Sequence, residues 1–228
     1  MKKPIFSLKK LLFAVRYRKS FRKGMGLHYT QLWEIWELTK GLEKVHIIEF
    51  GSGASTGVLE NLYSRKKKNF RIVSFDHLAA YAHKPKSPQT KVLIRPLENW
   101  SDAEFENFFE SKVISRPGSL LAEAALQGFR QKNSFYRIAQ GDLNLRADVI
   151  ILDGPNGNGR SLGFLHTMHS LAEKAYFLID DLNHYDFENR LMQIFPGARF
   201  VSGRNDSRVH PLFSWGIYEV GNYLPPNQ

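Results

Sequence analysis

The sequence predicts an α/β protein, a single domain built on a doubly wound, mostly parallel sheet of seven strands. Three observations lead to this prediction. Short runs of β-branched and apolar residues alternate along the chain with segments of helical periodicity. A turn containing Gly51 and Gly53 follows the first of these runs and leads into a helix. The run from Val149 to Leu152 is apolar at every position, as expected for a central parallel strand buried on both faces.

The length and composition suit one folded domain without cross-links. A chain of 228 residues, 43% of them hydrophobic, can bury roughly 70% of its unfolded surface. There is no cysteine, which excludes disulfide bonds and thiolate zinc sites. We divide the chain into a basic N-terminal extension (residues 1–26), the folded domain (27–222) and a polar tail (223–228).

The net charge of +10 is concentrated at the N-terminus. Residues 1–23 contain nine Lys or Arg and no acid, so the rest of the chain carries only about +1. Binding to a nucleic-acid backbone needs a basic face on the folded domain, and the composition does not supply one. We therefore do not expect nucleic acid as a partner.

The N-terminal extension has basic residues around a short apolar core, Leu11–Val15. This core is too short to span a bilayer, and no small-residue cleavage site of a signal peptide follows it. We expect a cytoplasmic protein. The extension is interpreted either as an amphipathic helix that makes peripheral contact with an anionic membrane, or as a plain surface helix or disordered segment.

The first half of the domain is predicted to alternate helix, strand, helix, strand. Leu32 and Ile35 recur at helical spacing before the first strand, which ends at Glu49. The helix after the glycine turn is expected to reach about Lys67, and the second strand to end at Asp76. An acid at that strand end is where the hydroxyls of a ribose would be bound.

The middle of the chain is predicted to be helical. A third strand stops at Pro96, and Asp102–Ile114 and Leu120–Lys132 are two candidate helices. About forty residues between strands is longer than a simple crossover requires. We therefore expect part of the segment 101–140 to form a cap that faces the substrate.

The second half resumes the alternation. The fourth strand ends at Asp153 in a loop of Gly, Pro and Asn, and a helix is predicted from Arg160 to Lys174. The next strand ends at Asp180 and Asp181, the helix Phe187–Ile194 follows, and two strands complete the sheet.

Acids therefore end four of the predicted parallel strands. Because ligands bind beyond the carboxyl ends of such strands, these acids are expected to line one site. They are Glu49, Asp76, Asp153, and the neighbouring Asp180 and Asp181.

The E-x-G-x-G stretch after the first strand and the acid after the second resemble the class I S-adenosylmethionine-dependent methyltransferases, over roughly residues 30 to 220. The resemblance implies a Rossmann-like methyltransferase fold. It also implies that Gly51, Ser52 and Gly53 line S-adenosylmethionine, that Asp76 holds its ribose and that Glu49 lies near its methionine end. A dinucleotide is less favoured, because the nearby acids would repel a pyrophosphate.

The second half resembles a branch with a D-G-P-x-G loop that includes glucuronoxylan methyltransferases, and is also similar to metal-dependent O-methyltransferases. That likeness implies a Mg²⁺ site formed by Asp153, Asp180 and Asp181, with Asp153 also catalytic. Pro155 stands where some of those enzymes have an acid, so the general base stays open. The alternatives are a turn around Asp153 and a helix cap at Asp180 and Asp181.

Other polar and aromatic residues are candidates for the acceptor side. His184, with His166 and His169 as alternatives, is a candidate base, and Arg160 is a candidate ligand for a substrate carboxylate. Trp100, Phe135 and Tyr136 are interpreted as core residues or as a surface on which a sugar stacks.

The function predicted from the sequence is methyl transfer from S-adenosylmethionine to an oxygen of a saccharide or small hydroxylated molecule, with Mg²⁺ as a further cofactor. Two alternatives stay open. One keeps the cofactor and changes the acceptor to protein or nucleic acid, and the other is a cofactor-binding interaction module without turnover.

Overall fold

The computed structural model describes residues 8–17, 27–122, 130–204 and 214–221. The helices are α1 (Leu8–Tyr17), α2 (Tyr29–Thr39), α3 (Ala54–Arg65), α4 (Asp102–Ser111), α5 (Leu162–Thr167) and α6 (Phe187–Ile194). The strands are β1 (Lys44–Phe50), β2 (Asn69–Asp76), β3 (Thr90–Ile94), β4 (Leu97–Asn99), β5 (Ser119–Leu120), β6 (Ser134–Tyr136), β7 (Ala147–Leu152), β8 (Leu171–Asp180), β9 (Arg199–Arg204) and β10 (Trp215–Gly221). A short 3₁₀ helix, Asn158–Ser161, precedes α5.

The main sheet has seven strands in the order β3-β2-β1-β7-β8-β10-β9. Neighbouring strands from β3 to β8 are parallel, whereas β10 is antiparallel to both β8 and β9. The order reverses between β1 and β7, the position where open α/β sheets bind ligands. The predicted fold class, a doubly wound and mostly parallel seven-stranded sheet, is confirmed.

The two faces of this sheet explain why its strands are apolar throughout. Side chains of successive strand residues point to opposite faces. In β1 and β7, Ile47 and Val149 belong to one buried cluster, and Ile48 and Ile150 belong to the other. Each face is covered by helices, so neither set of side chains reaches water.

The middle of the chain differs from the prediction. The first predicted helix is present as α4, but it ends at Ser111 because Lys112 adopts a left-handed conformation (φ +57°). β5 and β6, which lie in the segment predicted to be helical, instead pair with β4 in a second, antiparallel three-stranded sheet. The prediction of a helix at Leu120–Lys132 is wrong at its described ends, and residues 123–129 lie outside the described residues.

The predicted helix Arg160–Lys174 is too long. The helical segment ends at Thr167, and β8 begins at Leu171, which pairs with Ala147 of β7. Leu171 and Ala175 are buried in the core, so pairing with the central strand outweighs the helical pattern of this segment. In the described part of the chain, none of the helices combines the length and apolarity that crossing a membrane requires.

Candidate functional site

The glycine turn after β1 is fixed between the ends of two strands. The backbone N–H groups of Gly51 and Ser52 both donate to Phe75 O, at 2.9 and 2.8 Å. Gly51 has φ +103°, and a Cβ there would lie 2.8 Å from the backbone nitrogen of Gly154. A Cβ at Gly53 would meet no atom within 4 Å. The turn is thus packed against protein at Gly51 and open at Gly53.

Glu49 lies beneath this turn and is completely buried. Its carboxylate accepts hydrogen bonds from the hydroxyls of Ser55 and Thr56 in the first turn of α3, and from Ser74 of β2 at 2.9 Å. Burial raises the pKa of Glu49, and these three hydrogen bonds oppose that rise. Glu49 therefore holds α3 against β1 and β2, and its contact with a cofactor stays a prediction.

Asp76 is the last residue of β2 and lies beside the turn. It is only 7% exposed. Its Oδ1 accepts a hydrogen bond from Leu78 N at 2.9 Å. Burial raises the pKa of Asp76, while backbone N–H groups and nearby His77 counteract that shift. Close by, the Ser52 hydroxyl accepts a hydrogen bond from His83 N at 3.2 Å. A buried acid thus borders the glycine turn, as the sequence predicts.

Asp153 directly follows β7, and Asp180 ends the neighbouring strand β8. Gln31 Nε2 donates a hydrogen bond to Asp180 Oδ1 at 2.6 Å. Burial and the charge of Asp180 raise the pKa of Asp153 well above its ordinary value. Burial and the charge of Asp181 raise the pKa of Asp180 in the same direction. Burial is the first cause of both shifts, so the protonated form of each carboxyl group is favoured relative to that of an exposed aspartate.

The predicted Mg²⁺ site is not formed. Among the described residues, no group of three or more His, Asp or Glu side chains is arranged to hold a metal ion. The Asp181 carboxylate lies 3.5 Å from Arg160 Nη1 and 3.7 Å from His184 Nδ1. Asp180 is already bound by Gln31. These residues do not fit the metal, and no step of the mechanism relies on one.

Arg160 is 1% exposed, which places the predicted anion ligand in the protein interior. Its guanidinium donates to Pro155 O at 3.2 Å and Asp180 O at 3.0 Å, and lies 3.5 Å from oxygens of Asn156 and Asp181. Arg160 thus joins the loop after β7 to the end of β8. This burial leaves little room for a substrate carboxylate, and contact with a substrate stays an untested prediction.

The histidines proposed as bases have different surroundings. His184 is partly exposed beside Asp181 on the loop after β8, so it stays a candidate catalytic residue. His169 is exposed. His166 stacks on Phe135 with ring centroids 5.3 Å apart, and burial lowers its pKa to about 4. Its place in the packing of α5 against β6 indicates a structural role for His166.

Tyr136 is a site residue that the sequence left undecided. Its residue is 1% exposed, and its ring packs against Phe50 and Phe75 under the carboxyl edge of the sheet. A Cβ at Gly154 would lie 2.7 Å from the Tyr136 hydroxyl. Burial, with the charges of Asp76 and other acids of the site, raises the pKa of Tyr136. Pairing of β6 with β4 brings it here, and no local pattern in the sequence signals that pairing.

No protein-family model matches the chain, and no curated protein matches it. Solved structures with a similar fold include a probable spermidine synthase from Corynebacterium glutamicum, with 13% identity, 88% of this chain and 66% of that chain covered, and a TM-score of 0.45. Another is human methyltransferase-like protein 13 in complex with S-adenosylhomocysteine, with 14% identity, coverages of 87% and 81%, and a TM-score of 0.42.

A third similar structure is the Thermus thermophilus 16S rRNA N2 G1207 methyltransferase in complex with S-adenosylmethionine and guanosine. It is 12% identical, with 89% of this chain and 45% of that chain covered and a TM-score of 0.45. The chain thus spans 66% of the synthase and 45% of the rRNA methyltransferase. At these identities the similarity concerns the fold alone.

Proposed function

We propose that this protein is an S-adenosylmethionine-dependent methyltransferase. The observation that carries the proposal is an open glycine turn next to a buried acid on the neighbouring strand. Gly53 borders open space. The hydrogen bonds from Gly51 N and Ser52 N to Phe75 O hold the turn against the residue that precedes Asp76. Asp76 is then the residue that accepts hydrogen bonds from the ribose hydroxyls of a nucleoside lying against Gly51–Gly53.

The charges around the turn favour a cationic cofactor over a dinucleotide. The side-chain hydroxyls of Ser55 and Thr56 already donate to Glu49, so the first turn of α3 offers fewer donors to a pyrophosphate. Asp76 and Asp153 follow the strands on either side of β1. When bound, S-adenosylmethionine supplies an electrophilic methyl group on a sulfonium, a cation that suits this acidic edge.

We further propose oxygen as the atom methylated, in a saccharide or small hydroxylated molecule. Asp153 is the residue that accepts the proton of the acceptor hydroxyl, because burial and Asp180 make its carboxylate a stronger base than an exposed one. Gln31 and Arg160 hold the end of β8, and thereby position the Asp180 carboxyl group, whose charge raises the pKa of Asp153. His184 stays the second candidate base.

The inserted segment supports a polar acceptor. A depression of about 480 Å³ is lined by Asn99, Trp100, Ser101, Glu104, Arg116, Pro117, Gly118 and Ser119. Asn99 pairs with Ser134, two residues before Tyr136, or about 7 Å along β6. A mixed aromatic and polar lining suits a hydroxylated ring. We propose this depression, which is lined mostly by the predicted cap 101–140, as the side from which the acceptor enters.

Titration calorimetry with S-adenosylhomocysteine tests the cofactor without knowledge of the acceptor. We expect saturable binding by the full chain, and Asp76→Ala should weaken it about 10- to 100-fold, since a hydrogen bond to a charged group contributes about 1.5–3 kcal/mol. Asp148→Ala is the matched control, because Asp148 is an acid at the opposite end of β7 and binds His46 N. Binding of NADH in place of S-adenosylhomocysteine would refute the proposal.

The acceptor class needs a separate assay. We expect transfer of a labelled methyl group from S-adenosylmethionine to members of a panel of saccharides and small polyols, and about 100-fold slower transfer by Asp153→Asn. The same variant should bind S-adenosylhomocysteine normally. Transfer to protein or RNA in preference to the polyols would support the proposed cofactor and contradict the proposed class of acceptor.

A further inference from the structure

Helix α1 uses one face to dock on the domain. Phe13 and Tyr17 are buried in the core cluster on that side of the sheet. The Tyr17 hydroxyl donates to Asn61 Oδ1 of α3 at 3.0 Å, and Lys10 forms an ion pair with Glu34 of α2 at 2.9 Å. These contacts hold α1 on the surface in a defined orientation, so its opposite face points outward.

The outward face of α1 is apolar. Leu8, Leu11, Leu12 and Val15 are 70%, 47%, 60% and 64% exposed. Their spacing of three, one and three residues places all four on one side of the helix, away from Phe13 and Tyr17. A helix on the surface of a water-exposed domain normally presents polar residues outward. We name these four residues the outward stripe.

Basic residues of α1 lie along one side of the outward stripe. Lys9 and Arg16 are exposed on α1 and, at 100° per residue, lie between the stripe and the docked face. The sequence around the helix adds to this charge, since residues 1–23 contain nine Lys or Arg and no acid. The rest of the chain carries only about +1, so the positive charge is concentrated in the part of the sequence that contains α1.

We propose that α1 binds the surface of an anionic lipid bilayer, with the outward stripe inserted at the boundary between headgroups and acyl chains. Aliphatic side chains beside basic ones bind such an interface well, because burial of apolar surface and attraction to anionic headgroups both favour binding. A nucleic-acid backbone would satisfy the charges and leave the stripe in water. A second copy of α1 would cover the stripe but bring two basic segments together.

Vesicle co-sedimentation of the full chain tests this proposal. We expect binding to phosphatidylcholine vesicles containing about 30% phosphatidylglycerol to be at least about tenfold stronger than binding to phosphatidylcholine alone, and to weaken with added salt. The double variant Leu12→Gln/Val15→Gln should lose most of this binding. It keeps every charge and leaves the buried face of α1 intact.

The matched control is Val113→Gln/Leu120→Gln, which removes two other aliphatic side chains that are 52% and 55% exposed. It should bind the anionic vesicles as the unsubstituted protein does. Equal binding by both double variants, equal binding to the two vesicle types, or no binding at all would overturn the proposal. A dimer that dissociates in the α1 variant without vesicle binding would also overturn it and identify a second copy as the occupant.

This proposal is independent of the cofactor. Binding of S-adenosylhomocysteine by Leu12→Gln/Val15→Gln should equal that of the unsubstituted protein, because the polar contacts of α1, to Glu34 of α2 and Asn61 of α3, involve neither the glycine turn nor Asp76. Loss of cofactor binding in that variant would show that the substitutions disturb the domain, and would overturn the assignment of the stripe as a separate surface.

Discussion

The turn after β1 and the loop after β7 both carry closely spaced glycines at the carboxyl edge of the sheet. In the first, Gly53 borders open space. In the second, a Cβ at Gly157 would lie 2.0 Å from Gln131 O, and one at Gly159 would lie 2.1 Å from Ser134 O. Glycine therefore leaves room for a ligand in one loop and for the protein's own backbone in the other.

The second loop approaches β6 so closely because two asparagines join them. Asn133 N donates to Asn158 Oδ1 at 2.8 Å, and Asn158 Nδ2 donates to Asn133 Oδ1 at 2.7 Å. This contact anchors the inserted sheet to the main one and brings Tyr136 to the site. The D-G-P-N-G-N-G stretch thus has a structural explanation that does not require a ligand at its glycines.

The largest expected effect is that of Gly159→Ala. The added methyl group would collide with the backbone of Ser134, which cannot move without breaking the asparagine pair. We expect the free energy of unfolding to fall by about 3 kcal/mol, measured by urea denaturation. Gly41→Ala, where a Cβ meets nothing within 4 Å, is the control and should change stability little. A stable Gly159→Ala protein would contradict this account of the second loop.

The next effect concerns His166, whose helix follows the second loop and whose ring stacks on Phe135. Burial lowers the pKa of His166 from 6.5 to about 4. Between these two pH values His166 is protonated in the unfolded chain and neutral in the folded protein. His166 therefore costs up to about 2–3 kcal/mol of stability as the pH falls from 7 towards 4. His166→Phe should remove this pH dependence.

The measurement is the difference in unfolding free energy between the unsubstituted protein and His166→Phe at each pH. The difference isolates His166 from buried acids such as Glu49, whose raised pKa acts in the opposite direction and makes stability fall as the pH rises. His169→Gln, at an exposed position, should leave the profile unchanged. Parallel profiles for His166→Phe and the unsubstituted protein would show that this side chain is solvated.

The smallest expected effect is that of Gly53→Ala in the first loop. Gly53 has φ near 180°, a conformation open to any residue, and no neighbour to collide with. We expect unchanged folding and a loss of about tenfold, or 1.4 kcal/mol, in affinity for S-adenosylhomocysteine, measured by calorimetry. Unchanged affinity would place the cofactor away from Gly53, and a large loss of stability would show that the loop is packed.

Much of the fold was predictable because its signals are local. The apolar run Val149–Leu152, the glycine turn and the acid at Asp76 are each contained in a few consecutive residues, and parallel strands bring their carboxyl ends to one edge. The helix α6 was predicted with its observed bounds, Phe187–Ile194. The predicted helices failed at Leu120 and towards Lys174, where pairing with distant strands overrides local periodicity.

The positions of the acids in the site were predictable from the sequence, whereas the residues that contact these acids were not. A residue type at a strand end indicates where a carboxyl group lies, but not what it contacts. Arg160 is charged and therefore looked available to a substrate, yet it is buried against the loop after β7. The three aspartates looked like a metal site, yet Asp181 faces Arg160 and Asp180 is bound by Gln31 from a helix near the other end of the chain.

The sequence by itself determined the layered sheet, the glycine turn, the acids at its edge and the basic charge of the N-terminal extension, because these depend on residue type and short-range order. Only the tertiary structure decided which groups meet there. It places Tyr136 beside Gly154, closes the second glycine loop with the chain's own backbone, and docks α1 with its aliphatic stripe outward. These contacts join residues that are far apart in the sequence. Local sequence patterns therefore do not show which side chains become buried or which hydrogen-bond partners they find.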